Sequence, residues 1–169
     1  MAEQGTRILG IDPGLNITGY GVIEVFGSKS KLVEGGVVRS TQGRPIEYRI
    51  NQIYAGVAEV IAEFSPESVA VEQLYSHYQR PQTAILMGHA RGVICLAAAQ
   101  ADLEVSHYAA TQIKKVLTGS GHAPKSQMQM AICREFGLAA PPEPADVADA
   151  LAIALCHRHL GGMLKQTVS

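Results

Sequence analysis

Four acidic residues stand where charge is out of place. Asp12 ends the apolar run Ile8-Leu9-Gly10-Ile11, and Glu72 ends Val69-Ala70-Val71. Strands of that kind belong in the middle of a sheet, and ligands of α/β sheets bind beyond the carboxyl ends of such strands. Asp146 and Asp149 are three apart in Ala145-Asp146-Val147-Ala148-Asp149-Ala150-Leu151-Ala152. In a helix they share one face within the first turn, and their small apolar neighbours predict that this face packs closely. Each acid also has an ordinary use: Asp before Pro-Gly forms turns, and acids at a helix start serve the N-cap and the dipole. If the helix start abuts the strand ends, four carboxylates converge, and their repulsion must be relieved by protonation or by cations. Hard oxygen ligands without Cys or a required His select Mg²⁺ or Mn²⁺ over zinc. Two such ions about 3.5 to 4 Å apart activate water and stabilise the leaving oxygen of a phosphodiester, which is nuclease chemistry.

The elements that must position these acids are readable from periodicity. Arg7–Asp12, Thr18–Phe26 and Lys31–Ser40 read as three strands with a turn between each, an antiparallel meander unlike the opening of a Rossmann unit. A helix is expected over Pro45–Phe64, from Ile46, Ile50, Ile53, Val57, Val60, Ile61 and Phe64, and a short buried strand over Ser68–Glu72. A second helix over Pro81–Ala101, a fifth strand over Glu104–Tyr108 and helices over Ala110–Leu117, Lys125–Phe136 and Asp146–Leu160 complete the chain. The order β-β-β-α-β-α-β-α-α-α implies an α/β fold: a mixed five-stranded sheet, three antiparallel strands and then a parallel βαβ unit, with helices on both faces. No linker divides residues 1–169, so one domain is expected.

Formal net charge is −1, which by itself disfavours a nucleic-acid partner. The average conceals an asymmetry. Between Gln73 and Arg134 six basic residues (Arg80, Arg91, Lys114, Lys115, Lys125, Arg134) face only Asp102 and Glu104, while the remainder holds eight basic and thirteen acidic residues. A basic surface and acidic surroundings can thus share one domain, although lysines on solvated helix faces would give the same count. Cys95, Cys133 and Cys156 are odd in number and lack CxxC spacing; they read as buried thiols in a reducing compartment. No apolar run approaches the roughly 18 residues of a membrane span, so no membrane partner and a cytoplasmic location are expected. His157 and His159 flank Arg158 near the expected end of the last helix, where positive charge suits the dipole.

Ile11-Asp12-Pro13-Gly14, Thr18-Gly19-Tyr20-Gly21-Val22, Val71-Glu72-Gln73, Gly88-His89-Ala90-Arg91-Gly92 and Asp146-Val147-Ala148-Asp149-Ala150-Leu151-Ala152 resemble, in order and spacing, the successive motifs of RuvC-type Holliday-junction resolvases. The resemblance spans nearly the whole chain. It implies an RNase H-like fold and a homodimer, with residues 45–64 and 79–101 at the interface. It also implies two Mg²⁺ ions per active site, with Mn²⁺ as a substitute, and paired symmetric nicks in four-way junction DNA that leave 5′-phosphates. The RuvA and RuvB branch-migration proteins are the implied partners. Position by position, Asp12, Glu72, Asp146 and Asp149 match the family's catalytic, metal-binding acids. Tyr75 stands where the family commonly has a Phe that stacks on a junction base, and Lys114 and Lys125 match its phosphate-contacting lysines. Arg80 and Lys115, from the same basic stretch, join them as candidate DNA contacts. An aromatic face steadies an unstacked base, and Lys acts as a point charge to phosphate, so these roles are chemically coherent; Tyr75 taken alone also suits ordinary packing. His89 replaces the family's usual Gln, and the stretch after Tyr75 departs from the usual loop, which bears on base preference and leaves the acids untouched.

Other readings compete. An ATP-binding domain of the actin and sugar-kinase type would explain Asp-x-Gly before a hairpin, but it requires a second, repeated domain, and no GxxxxGK[ST] loop is present. A junction-binding protein without catalysis would have lost an acid, and none is missing. An RNA-processing nuclease on the same fold is opposed only by the junction-reading loop and the matched lysines.

Overall fold

A computed structural model describes residues 4–74 and 80–166, with side chains as far as residue 161. The strands are β1 (Thr6–Asp12), β2 (Ile17–Phe26), β3 (Lys29–Arg39), β4 (Ser68–Glu72) and β5 (Glu104–Tyr108). The helices are α1 (Ile46–Phe64), α2 (Pro81–Gln100), α3 (Ala110–Thr118), α4 (Lys125–Phe136) and α5 (Ala145–Gln166). Strand order is β3-β2-β1-β4-β5, so the two acid-bearing strands lie side by side at the centre. β1 pairs antiparallel with β2 and parallel with β4, and β4 pairs parallel with β5.

β1 and β4 are buried on both faces, which is why their sequences are continuously apolar rather than alternating. On one face Leu9, Ile11, Val69 and Val71 pack with Ile53 and Val57 of α1 and Ala90 and Ile94 of α2. On the other, Ile8 and Ala70 pack with Leu151, Ala154 and Leu155 of α5, Ile113 of α3 and Ile132 of α4. Side chains alternate along a strand, so Asp12 shares the face of Ile8 and Gly10, and Glu72 shares that of Ala70. Both acids therefore point to the α5 side.

The expected elements are all present, and three readings need correction. α5 runs on to Gln166, past the expected end at Leu160. His157 consequently lies in the body of the helix. It does not sit at the helix end: its ring nitrogens are hydrogen-bonded to Tyr108 Oη (2.7 Å) and Ser68 Oγ (3.1 Å), both on strands beneath α5. Of the cysteines only Cys156 is buried, and burial pushes its thiol up to about 12; Cys95 and Cys133 are partly exposed. No helix among the described residues is long and apolar enough to cross a membrane.

Candidate active site

The parallel register Ile11↔Val71 brings the next residues, Asp12 and Glu72, to the same end of the sheet. The turn that follows Asp12 is tied down on each side. Buried Thr18 donates through Oγ1 to Gly14 O (2.8 Å) and accepts from Gly14 N (3.3 Å), closing the Pro13-Gly14 turn upon β2. Ser40 Oγ donates to Leu15 O, and Arg49 of α1 donates to Ser40 Oγ (3.0 Å) and Asn16 Oδ1 (2.5 Å).

Asp146 and Asp149 reach this edge because α5 lies unusually close to the sheet. A Cβ on Gly10 would stand 2.2 Å from Ala150 O, and one on Gly19, the β2 partner of Asp12, would stand 2.2 Å from Asp146 O. No side chain fits at either position, so helix backbone rests on strand backbone. Gly10 and Gly19 on the sheet and the alanines of α5 are two halves of one contact.

The electrostatics show how close the four acids are. Asp12 is pushed up to about 8, first by burial and then by the charges of Glu72, Asp149 and Asp146, and it hydrogen-bonds to Glu72. Glu72 is raised by burial and by Asp149, against the lowering effects of the Asp12 hydrogen bond, Lys114 and Arg91. Asp149 is raised by burial and by Asp146, opposed by Lys125, whose Nζ lies 3.7 Å from Asp149 Oδ2. Among the described residues, no three acids, histidines or cysteines already form a cage around one point. The repulsion is instead eased by the rise at Asp12, which favours its protonated form, and by Lys125 at Asp149. The cluster's donor set suits a hard divalent cation: carboxylate oxygens only, partly desolvated, in mutual repulsion that added positive charge relieves.

Beside the acids a cleft of about 680 Å³ is lined by Asp12, Glu72, Gln73, Leu74, Met87 and Arg91 among others. A second pocket, of about 260 Å³, brings Lys114 and Lys125 together with Glu72 and Asp149. Lys115 is exposed on α3 and Arg80 is exposed just before α2; neither lines these two clefts. Tyr75 lies outside the described residues. In the sequence Arg91 stands as one residue of a basic stretch and of the Gly88–Gly92 motif, with no role at the site assigned to it. The structure puts it in the site: Nη1 donates to Glu72 O, and Nη2 donates to His107 Nδ1 (2.9 Å). A signal was present, an Arg within the Gly88–Gly92 motif, but pattern alone does not say where a helix turns such a residue.

Residues 8–157 match the family model described as "Crossover junction endodeoxyribonuclease RuvC". The chain belongs to the RuvC family of crossover junction endodeoxyribonucleases. It is 56% identical over 153 residues to the RuvC of Rhodopirellula baltica, covering 90% of this chain and 86% of that one. Thermus thermophilus RuvC, solved in complex with a Holliday junction substrate, is 38% identical and superposes with a TM-score of 0.88 over 94% of this chain and 96% of that one. The yeast mitochondrial Holliday junction resolvase Ydc2 shares the fold at 13% identity, with a TM-score of 0.64 over 96% of this chain and 86% of its own. The fold is thus the RNase H-like one of the RuvC resolvases, and RuvC proteins are metal-dependent nucleases.

Proposed function

We propose that this chain resolves four-way DNA junctions in recombination and repair, in the cytoplasm, by paired symmetric nicks that leave 5′-phosphates. The observation that carries the reading is the meeting of Asp12, Glu72, Asp146 and Asp149 at one sheet edge with Lys114 and Lys125 beside them. The four acids would hold two divalent ions, Mg²⁺ or in its place Mn²⁺. With the ions bound, the cluster gains a polarised attacking water and neutralised charge on the leaving oxygen.

The rest is the work of the chain itself. Lys114 and Lys125 flank the acids and set the phosphate of the cut strand against them, since a scissile phosphate would otherwise meet only negative charge. The Thr18 and Arg49 tethers fix the Asp12 turn, so the carboxyl is positioned before substrate arrives. Arg80, Lys115 and Tyr75 extend the track along the junction arms, Tyr75 by stacking on an unpaired base. A homodimer through residues 45–64 and 79–101 presents two such sites, matching the near two-fold symmetry of a junction. Exposed Ile85, Leu86 and Leu96 on α2 and Tyr48 on α1 give that surface its apolar character. RuvA and RuvB are the partners that would deliver the junction.

The test is incubation of the purified protein with a labelled synthetic four-way junction and with matched linear duplex, with and without Mg²⁺, beside Asp12→Asn. Paired, ligatable nicks in the junction alone are expected, lost without Mg²⁺ and in the variant. Binding without cutting would reduce the acids to holding the junction, and cleavage of structured RNA in its place would move the activity to RNA processing.

A further inference from the structure

We infer that Arg91 is a positioning residue for Glu72: it fastens the end of β4 where strand pairing stops and thereby sets where the Glu72 carboxylate stands. The inference rests on the metal-dependent cleavage proposed above.

The β1–β4 ladder runs from Ile8↔Ser68 to Ile11↔Val71 and ends one residue short of Glu72. Beyond that pair β1 gives the Glu72 backbone no ladder partner. On the other side β4 stays attached to β5, through Glu72↔Tyr108 and the bond from Gln73 N to Tyr108 O (2.7 Å). The Glu72 carbonyl takes its hydrogen bond from Arg91 Nη1 on α2. A strand end paired on one side only leaves the backbone that carries the Glu72 carboxylate less firmly placed, and the arginine supplies the second tether.

The guanidinium is itself held. Its second nitrogen donates to His107 Nδ1 on β5, and Arg has no acceptor atoms, so that nitrogen of His107 must be unprotonated. Burial and the neighbouring Arg91 charge both lower His107, favouring the neutral ring that can accept. One planar fork thus joins α2, β4 and β5, a geometry a lysine cannot reproduce because its ammonium is a point charge. Arg91 lines the cleft beside Asp12 and Glu72, so the brace stands at the edge where the ions and the cut strand would lie. Residues that orient a ligand in this manner commonly carry about 10- to 100-fold of metal affinity or activity.

The experiment compares wild type, Arg91→Lys, Arg91→Met and His107→Leu in three measurements: Mn²⁺ affinity by calorimetry without DNA, single-turnover cleavage at saturating protein, and junction affinity in EDTA. Both Arg91 variants are expected to bind Mn²⁺ roughly tenfold or more weakly and to cut slower by a similar factor, with His107→Leu showing a smaller loss in the same direction. Arg91→Lys should hold the junction in EDTA as wild type does, since charge is kept. Full recovery of Mn²⁺ affinity and cleavage in Arg91→Lys would overturn the inference by making Arg91 a charge and nothing more. Unchanged Mn²⁺ affinity in Arg91→Met would overturn it too. Weakened Mn²⁺ binding in variants of a protein that cuts no junction would uphold the brace and sink the proposed substrate.

Discussion

Asp12 carries the consequence of crowding acids at the end of a buried strand. Its carboxyl titrates at about 8 in the fold against an ordinary value of 3.8, so between those limits the folded chain binds a proton that the unfolded chain has released. Stability contributed by this group is complete below about pH 4 and is lost as pH rises toward about 8. Glu72 and Asp149, also raised, act in the same direction. Asp12→Asn should therefore melt with wild type near pH 4.5 and above it at pH 8 in EDTA, by several degrees on a scale of roughly 2–4 °C per kcal/mol for a chain of this size. Mg²⁺ should raise the melting temperature of wild type more than that of the variant. Equal melting at pH 8 would mean that the acids do not repel one another as their placement requires. The acids themselves were legible in the sequence, because a charge at the end of an apolar strand is costly to desolvate unless a ligand or partner meets it. What Arg91 and His157 touch was not, because it depends on which way each helix is turned, and the residues beside them in the chain do not say which.

At the scale of the element, α5 brings half of the acids to the site, and what brings α5 there is the absence of side chains beneath it. The strand boundaries and the start of this helix could be read closely, since apolar runs, Pro-Gly turns and the Pro141-Pro142-Glu143-Pro144 segment mark them. Its end could not, as nothing in Leu160-Gly161-Gly162 announces that the helix continues. The glycines were visible as motif residues, yet their purpose required the third dimension: Gly10 and Gly19 are opposite the backbone at Ala150 and Asp146. Gly10→Ala should cost about 1–3 kcal/mol, as overpacking of a close contact does. Cleavage should fall further than stability accounts for, because the shift that accommodates the methyl group moves Asp146 and Asp149 away from Asp12. A thermal melt and a single-turnover rate taken at a temperature where the variant stays folded separate the two effects; a variant that melts lower and cuts at the wild-type rate would show that α5 does not set the distance between the acids.

For the whole molecule, a net charge of −1 hides a division of labour. The basic stretch from Gln73 to Arg134 includes α2, which packs with α1 on one face of the sheet, the edge strand β5 beside β4, and α3 and α4, which lie on the α5 face. That arrangement gives the acids a positive flank, and it separates two kinds of lysine. Lys114 and Lys125 share a pocket with Glu72 and Asp149, so part of their charge is spent on the acids. Lys115, one residue on and exposed, lines neither cleft and is available to phosphate alone. Junction affinity measured in EDTA should fall with salt, with a slope of log K against log[salt] near −0.9 for each phosphate neutralised. Lys115→Met should make that slope shallower by about 1 and weaken all junction sequences alike. Lys125→Met should change it less, because removing this lysine also exposes the phosphate to an unpaired Asp149. Adding divalent ions that bind the acids should then enlarge the Lys125 effect while leaving that of Lys115 as it was. A slope indifferent to Lys115 in both conditions would place the junction on another face of α3.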